Sequence, residues 1–177
     1  DYLAIPGPSV SPERVLNAMH TSSPNIYEGG LVDVVADMIP DLKAVARTKG
    51  DVAIYIANGH GAWEAAAMNV LAPGDTALVL ATGRFAALWG MICNRMGIET
   101  EVIDFGRKSP LDPARVEEAL KADTSHRIKA VLTVQTDTAT GILNDIAGLR
   151  AAMDRAGHPA LLMVDCIASL ACDRFEM

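Results

Sequence analysis

No apolar run in the 177 residues continues without interruption for the ~18 positions expected of a membrane-spanning helix, so a bilayer-crossing role by that route is not expected. Cysteine is scarce. Cys93, Cys166 and Cys172 are odd in number and form no C-x-x-C pair, so neither a disulfide framework nor a zinc site is suggested, and buried thiols in a reducing compartment are the plain reading. Positive charge is also thin: 15 Lys and Arg stand against 22 Asp and Glu, for a formal net charge of -7. The basic residues are scattered, which argues against nucleic acid as a partner, because phosphate binding needs concentrated positive charge. No repeat period and no low-complexity linker divide the chain. Secretory features are missing too, and a cytoplasmic location is the expectation that rests on this alone. What is present is a chain that is 50% hydrophobic and 21% charged, the balance of a globular domain with a sizeable core.

Short β-rich apolar runs alternate with amphipathic helical stretches. Residues 52–57 (VAIYIA), 76–81 (TALVLA), 101–105, 130–134 and 160–164 (ALLMV) read as strands. Helices are expected over 62–71 and 85–96, from Pro113 with Asp112 as N-cap, and over 145–156 with a stop at Gly157. The run ALLMV is apolar without alternation, as expected of a parallel strand covered on both faces. The stretch 52–165 therefore reads as α/β, in three layers, around a mostly parallel sheet. Ahead of it, a helix starts at Ser11-Pro12-Glu13, and another spans about 31–46, where Pro40 should break or kink it. Residues 1–9 (DYLAIPGPS) carry too many turn formers for regular structure and are expected to form an extended arm.

Ligands of open α/β sheets bind beyond the carboxyl ends of the strands, and four strand ends here carry unusual chemistry. Asn58-Gly59-His60-Gly61 follows the first strand. Its glycines allow close backbone approach, and the amides of the next helix suit an oxyanion such as phosphate. The spacing fits neither a Walker loop nor the dinucleotide fingerprint, and a plain tight turn into a helix explains it equally. Thr82-Gly83-Arg84-Phe85 follows the second strand, where an aromatic could lie against a planar ligand or serve as a core residue. Trp63 and Trp89 sit at helical spacings and read as packing residues. Thr136-Asp137-Thr138-Ala139-Thr140-Gly141 is a polar cluster that either binds a ligand or caps a turn. Asp165 directly follows ALLMV, and a carboxylate there needs a cation or several donors. A protonated pyridine nitrogen is one such cation; a salt bridge or helix cap is the alternative. A phosphorylated, planar, cationic heterocycle would use all four strand ends in order, and pyridoxal phosphate is that kind of molecule.

The same residues resemble a known family. Pro6-Gly7-Pro8-Ser9 with Pro12-Glu13-Arg14-Val15-Leu16, Gly59-His60-Gly61-Ala62-Trp63-Glu64, Asn69-Val70-Leu71 with Pro73-Gly74-Asp75, Gly83-Arg84-Phe85, Thr138-Ala139-Thr140-Gly141 and Val164-Asp165-Cys166-Ile167-Ala168-Ser169-Leu170 together are similar to the class V aminotransferases, closest to the alanine/serine–glyoxylate group. The resemblance implies the large domain of fold type I pyridoxal-phosphate-dependent transferases, with residues 1–48 as N-terminal arm and helices and 49–177 as the front part of that cofactor-binding domain. It implies that Gly59, His60 and Gly61 hold the cofactor phosphate, Phe85 stacks on the ring, and Thr138 bonds near its phenolic oxygen. Asp165 would pair with the ring nitrogen as the catalytic carboxylate, Ile167 would pack on the opposite ring face, and Gly7 would lie near the substrate carboxylate. Partners implied are small amino acids (serine or alanine), the 2-oxo acids glyoxylate or pyruvate, and a second copy of the chain in a homodimer.

Three departures stand out. Asn58 replaces the serine common in the family's turn, and Gln135 and Asp137 stand where a His-x-Glu is common. The family's covalent lysine follows the aspartate strand, whereas Lys43, Lys49, Lys108, Lys121 and Lys129 all lie elsewhere, so the expectation is a fragment that ends before that lysine and before the substrate-binding arginine. Other readings are a phosphonate or ureidoglycine transaminase, a desulfurase-like lyase, for which Cys93 on a helix is an unsuitable catalytic cysteine, and a non-catalytic phosphate-binding α/β module.

Overall fold

The computed structural model describes Leu3, Ile5, Gly7 and residues 9–177, and the chain divides into two compact units, 1–54 with 170–177, and 55–169. The arm expected over residues 1–9 falls partly on positions 1, 2, 4, 6 and 8, which lie outside the described residues. The first unit carries α1 (Glu13–Met19) and α2 (Gly30–Ala46). Pro12 precedes α1 and Glu13 places a carboxylate in its first turn, where the helix dipole favours negative charge. The break expected at Pro40 does not occur: α2 is continuous over 17 residues with Pro40 inside it. Proline removes one amide donor from the ladder, and the bonds on either side of it carry the helix through. Arg47, at φ 51, closes α2 in the left-handed conformation. No residue of α1 or α2 is buried.

The second unit is built on a four-stranded parallel sheet. After α3 (Gly59–Val70) come β1 (Thr76–Ala81), α4 (Arg84–Arg95), β2 (Glu99–Asp104), α5 (Pro113–Ala122) and β3 (Ile128–Val134). A two-stranded antiparallel hairpin of β4 (Thr136–Asp137) and β5 (Ile142–Leu143) then precedes α6 (Ile146–Ala156) and β6 (Leu161–Asp165). The sheet order is β2-β1-β3-β6. The helix ends follow local signals. Asp112 caps α5 by accepting from the Ala114 amide, with Pro113 at the helix start. Asp145 caps α6 by accepting from the Gly148 amide, and Gly157, at φ 64, ends it.

Side chains on successive strand positions point to opposite faces, and this sorts the core into two halves. Ala77 and Val79 of β1 pack with Trp63 and Ala67 of α3, Trp89 and Cys93 of α4, and Ala130 and Leu132 of β3. Leu78 and Leu80 face the other way, onto Val116 and Leu120 of α5 and Leu149 and Met153 of α6. All six residues of β1 are buried, the pattern of a strand covered on both faces. Helix α4 comes close enough to the sheet that a Cβ on Gly90 would lie 2.9 Å from the Val79 side chain.

Two strand expectations are corrected. Residues 52–57 form no strand and pair with none of the described strands, and Ile54, Tyr55 and Ile56 are exposed. An apolar run becomes a strand only where a neighbouring backbone satisfies its N–H and C=O groups. The run 160–164 is a strand, β6, but not one covered on both faces: no residue of Leu161–Asp165 is fully buried, and Leu161 is 50% exposed. Among the described residues, no helix is long and apolar enough to cross a membrane, and no group of three or more His, Cys, Asp or Glu side chains could hold a metal ion.

Candidate functional site

Connectivity and sheet order together create a crevice. The chain runs from β1 to β2 through α4, then passes back over β1 to β3 through α5, with the two helices on opposite faces. The sheet therefore has its switch point between β1 and β3, where open α/β sheets bind ligands at the carboxyl ends of the strands. The segments that leave those ends are Thr82-Gly83-Arg84-Phe85 and Gln135–Thr140, with Asp165 one strand further along.

The first of the expected strand-end motifs belongs to a helix rather than to a loop. Helix α3 begins at Gly59, not at Ala62, with Asn58 as N-cap accepting from the Gly61 amide at 3.2 Å. Asparagine at this position thus does the capping that serine can also do. The Ala62 amide returns to the Asn58 carbonyl, while the amides of Gly59 and His60 form no hydrogen bond among the described residues. These two donors lie at the positive end of a 12-residue helix, a setting that favours an anion. Gly61 is required sterically, since a Cβ there would stand 2.5 Å from Cβ of Ala57, whereas the space over Gly59 is open.

Trp63, one turn further along α3, joins the other groups. Its indole Nε1 donates to Oδ2 of Asp165 at 3.1 Å. Its ring stacks on Trp89 with centroids 5.6 Å apart and planes 9° apart, and the rings of His60 (4.9 Å) and Phe85 (6.4 Å) meet it edge-on. The second oxygen of Asp165 accepts from the Ile167 amide at 2.8 Å, and its backbone carbonyl accepts from the Gln135 amide. Among the described residues no Lys, Arg or His pairs with Asp165, so neither the salt bridge nor the helix cap weighed from sequence is formed. The Ile167 side chain is 77% exposed.

Asp137 organises the opposite side of the crevice. This fully buried carboxylate accepts from the amides of Phe85 (2.8 Å), Ala86 (3.4 Å) and Ala139 (3.0 Å), so it occupies the start of α4 and holds the β3 turn to it. A Cβ on Gly83 would lie 2.3 Å from Cγ of Asp137, which is why glycine stands there. The anion-binding end of α4 is thereby filled by the protein's own carboxylate, and that of α3 is not. The hydroxyl of Thr138 makes no hydrogen bond among the described residues. Behind the crevice, the buried Asn144 donates to Thr82 Oγ1 and the Val134 carbonyl and accepts from the Leu111 amide. Ser169 donates to Gln135 at 2.7 Å and so ties the loop after β6 to the end of β3.

The structure thus brings together Gly59, His60, Gly61, Phe85, Thr138, Asp165 and Ile167 at one edge of the second unit. Gly7 belongs to the first unit, where it is exposed with φ 149, a value that favours glycine. Sequence reasoning did not find Trp63, Asp137 or Asn144 as organising residues, because their partners lie 102, 52 and 62 positions away. Cysteine chemistry is muted nearby: burial and then the charge of Asp165 push the Cys166 thiol up to about 11, and burial raises that of Cys93.

Comparison with known proteins gives a consistent picture. The family model described as aminotransferase class-V matches residues 2–177. The chain is 38% identical over 171 residues to a serine–glyoxylate aminotransferase of Methylorubrum extorquens, covering 96% of this chain and 42% of that protein. It is 39% identical to a serine–glyoxylate aminotransferase of Hyphomicrobium methylovorum, again over 96% of the chain and 42% of the relative. The chain therefore spans less than half the length of these curated relatives. Among solved structures, an aspartate aminotransferase of subgroup IV from Thermus thermophilus superposes with a TM-score of 0.90 at 25% identity, covering 100% of this chain and 49% of that one.

Proposed function

We propose, from the premise that this chain belongs to the aminotransferase class-V family, that it forms the cofactor-holding part of a pyridoxal-phosphate-dependent transaminase. The reaction proposed moves the amino group of a small amino acid, serine or alanine, to glyoxylate or pyruvate. The observation that carries this reading is the meeting, at the carboxyl edge of one parallel sheet, of two helix-start amides and a carboxylate that find neither acceptor nor cation among the described residues, together with an aromatic pair. A phosphate fits the α3 end and not the α4 end, which Asp137 fills. Each oxygen of Asp165 has one donor and retains acceptor capacity for a third, such as a protonated ring nitrogen.

Pyridoxal phosphate, when bound, supplies an electron sink for the charge left as the α-proton of the amino acid departs. The chain's residues set up that chemistry. The amides of Gly59 and His60 bind the phosphate, with Gly61 giving α3 its close approach to Ala57. Phe85 orients the ring, Thr138 donates its hydroxyl near the phenolic oxygen, and Ile167 covers the opposite face. Asp165 holds the proton on the ring nitrogen, which keeps the ring electron-poor. Gly7 lies beside the substrate carboxylate in this proposal, and the protein acts in the cytoplasm as a homodimer, the pairing of two copies being supported by the bare apolar residues Val34, Val35 and Val45 of α2. None of the five lysines belongs to the cluster, so the covalent link to the cofactor is assigned to none of them.

A desulfurase-like reaction is less favoured. Cys93 is fully buried, and the thiol of Cys166 is held protonated. The test uses full-length protein loaded with pyridoxal phosphate, serine or alanine as donor, and glyoxylate or pyruvate as acceptor, with both products followed by chromatography. Amino transfer is expected, with Asp165→Asn slowing it about 10²–10³-fold. Loaded protein that transfers no amino group from any small amino acid would overturn the proposal.

A further inference from the structure

The geometry points to Trp63 as a positioning residue that sets the Asp165 carboxylate and links the two ends of the cofactor site, an inference that rests on the function proposed above. The two buried indoles of the core differ in one respect. Trp63 and Trp89 stack face to face, yet Trp89 Nε1 has no hydrogen-bond partner among the described residues, whereas Trp63 Nε1 is directed at Oδ2 of Asp165 at 3.1 Å. Trp63 is only 5% exposed, so its rotamer is held by Trp89 on one face and by the edge-on rings of His60 and Phe85. Asp165 in turn is held from both sides, by the indole on Oδ2 and by the Ile167 amide on Oδ1. A carboxylate fixed by two donors keeps one orientation, and its remaining lone pairs point in a set direction.

Helix α3 adds the second half of the argument. The amides proposed for the phosphate, Gly59 and His60, lie on the same rigid element as Trp63, four and three positions earlier. Phosphate and ring nitrogen are at opposite ends of a flat molecule. Trp63 therefore ties the grip on one end to the grip on the other through a single helix and one hydrogen bond, over 102 residues of sequence. Loss of the N–H frees the carboxylate to rotate and leaves one oxygen a partner short.

The test measures binding of pyridoxamine 5'-phosphate to the full-length protein by equilibrium dialysis, because that form binds without a covalent link. Trp63→Phe, which keeps an aromatic ring against Trp89, should weaken binding about ten- to thirtyfold, the low end of the range for one hydrogen bond to a charged group. Asp165→Ala should weaken it at least about thirtyfold, since it removes one member of a desolvated charge pair. Within Asp165→Ala, the Trp63 change should have no further effect. Val116→Ala, in the other half of the core, should lower thermal stability and leave affinity unchanged. Replacement of Trp63 by benzothienylalanine, which keeps the shape and lacks the N–H, should reproduce Trp63→Phe and covers the case in which the phenylalanine variant folds poorly. A readout indifferent to packing is the ¹⁵N shift of ring-labelled cofactor: the pH at which the bound ring nitrogen loses its proton should fall in the Trp63 variants. If the Trp63 changes leave affinity and the ¹⁵N midpoint alone while Asp165→Ala weakens binding, the positioning role is wrong and the function stands. The positioning role is equally wrong if the Trp63 effect persists in full within Asp165→Ala. If Asp165→Ala does not weaken binding, the proposed cofactor site itself fails.

Discussion

A carboxylate with no accessible surface, Asp137, is held by amides rather than by a cation. Three donors satisfy it, so its removal would leave them, the buried Ala86 amide among them, without that partner. Asp137→Ala should lower unfolding free energy by about 2–3 kcal/mol in urea denaturation. Gly83→Ala should cost about 1–3 kcal/mol by overpacking against the same side chain, and that cost should vanish when Asp137 is also alanine, because the colliding atoms are gone. At the other end of the sheet, burial pushes the Asp123 carboxyl up, but the amides of Ile128 and Arg127, the His158 ring and Ser125 outweigh it and bring it from 3.8 down to about 2. A group whose folded value is depressed contributes its stability in full above its unfolded value and loses it as pH falls through the folded one. Stability should therefore decline between about pH 4 and pH 2, and Asp123→Asn should flatten that part of a denaturation-versus-pH curve. A midpoint that falls equally steeply in the variant would rule this out.

Helix ends are the elements most legible from composition, since a cap acts through atoms two or three residues away. Asp112 with Pro113, and Asp145 with Gly157, act as the local sequence suggests. Asn58 caps α3 by the same rule, although the helix begins three residues before the expected place. Asn58→Ala and Asp112→Ala should each cost about 1 kcal/mol of stability. Only the first should weaken pyridoxal-phosphate binding, because the α3 amides are the ones proposed for the phosphate; equal loss in both variants would argue against a phosphate at α3. Elements whose state depends on distant partners were not legible. The apolar run 52–57 is as strand-like as TALVLA, but TALVLA lies between β2 and β3 and the former has no paired neighbour among the described residues. The β4–β5 hairpin was hidden inside the polar cluster, where Gly141, at φ 70, lets the chain turn back.

For the whole molecule, the sheet order decides where stability and chemistry reside. β1 is central and fully buried, while β2 and β6 lie on the flanks. Leu80→Ala should cost about 2–5 kcal/mol, and Val102→Ala on the exposed side of β2 no more than about 0.5 kcal/mol, as chemical denaturation would show. Alternation of apolar runs and amphipathic stretches was enough to specify a three-layer α/β fold, because periodicity and capping are properties of neighbouring residues. The same is true of the four motifs and their order, three of which follow strands, since they arise from local composition and carry the family resemblance. Only the tertiary structure decided that Asp165 bonds to the indole of Trp63, that Asp137 closes one helix start while the other stays open, and that Asn144 joins Thr82 to Val134. These contacts join residues that are for the most part tens of positions apart, and no local rule of hydrophobicity or turn chemistry encodes which distant donor meets which acceptor once the crossover over β1 has brought the strand ends together.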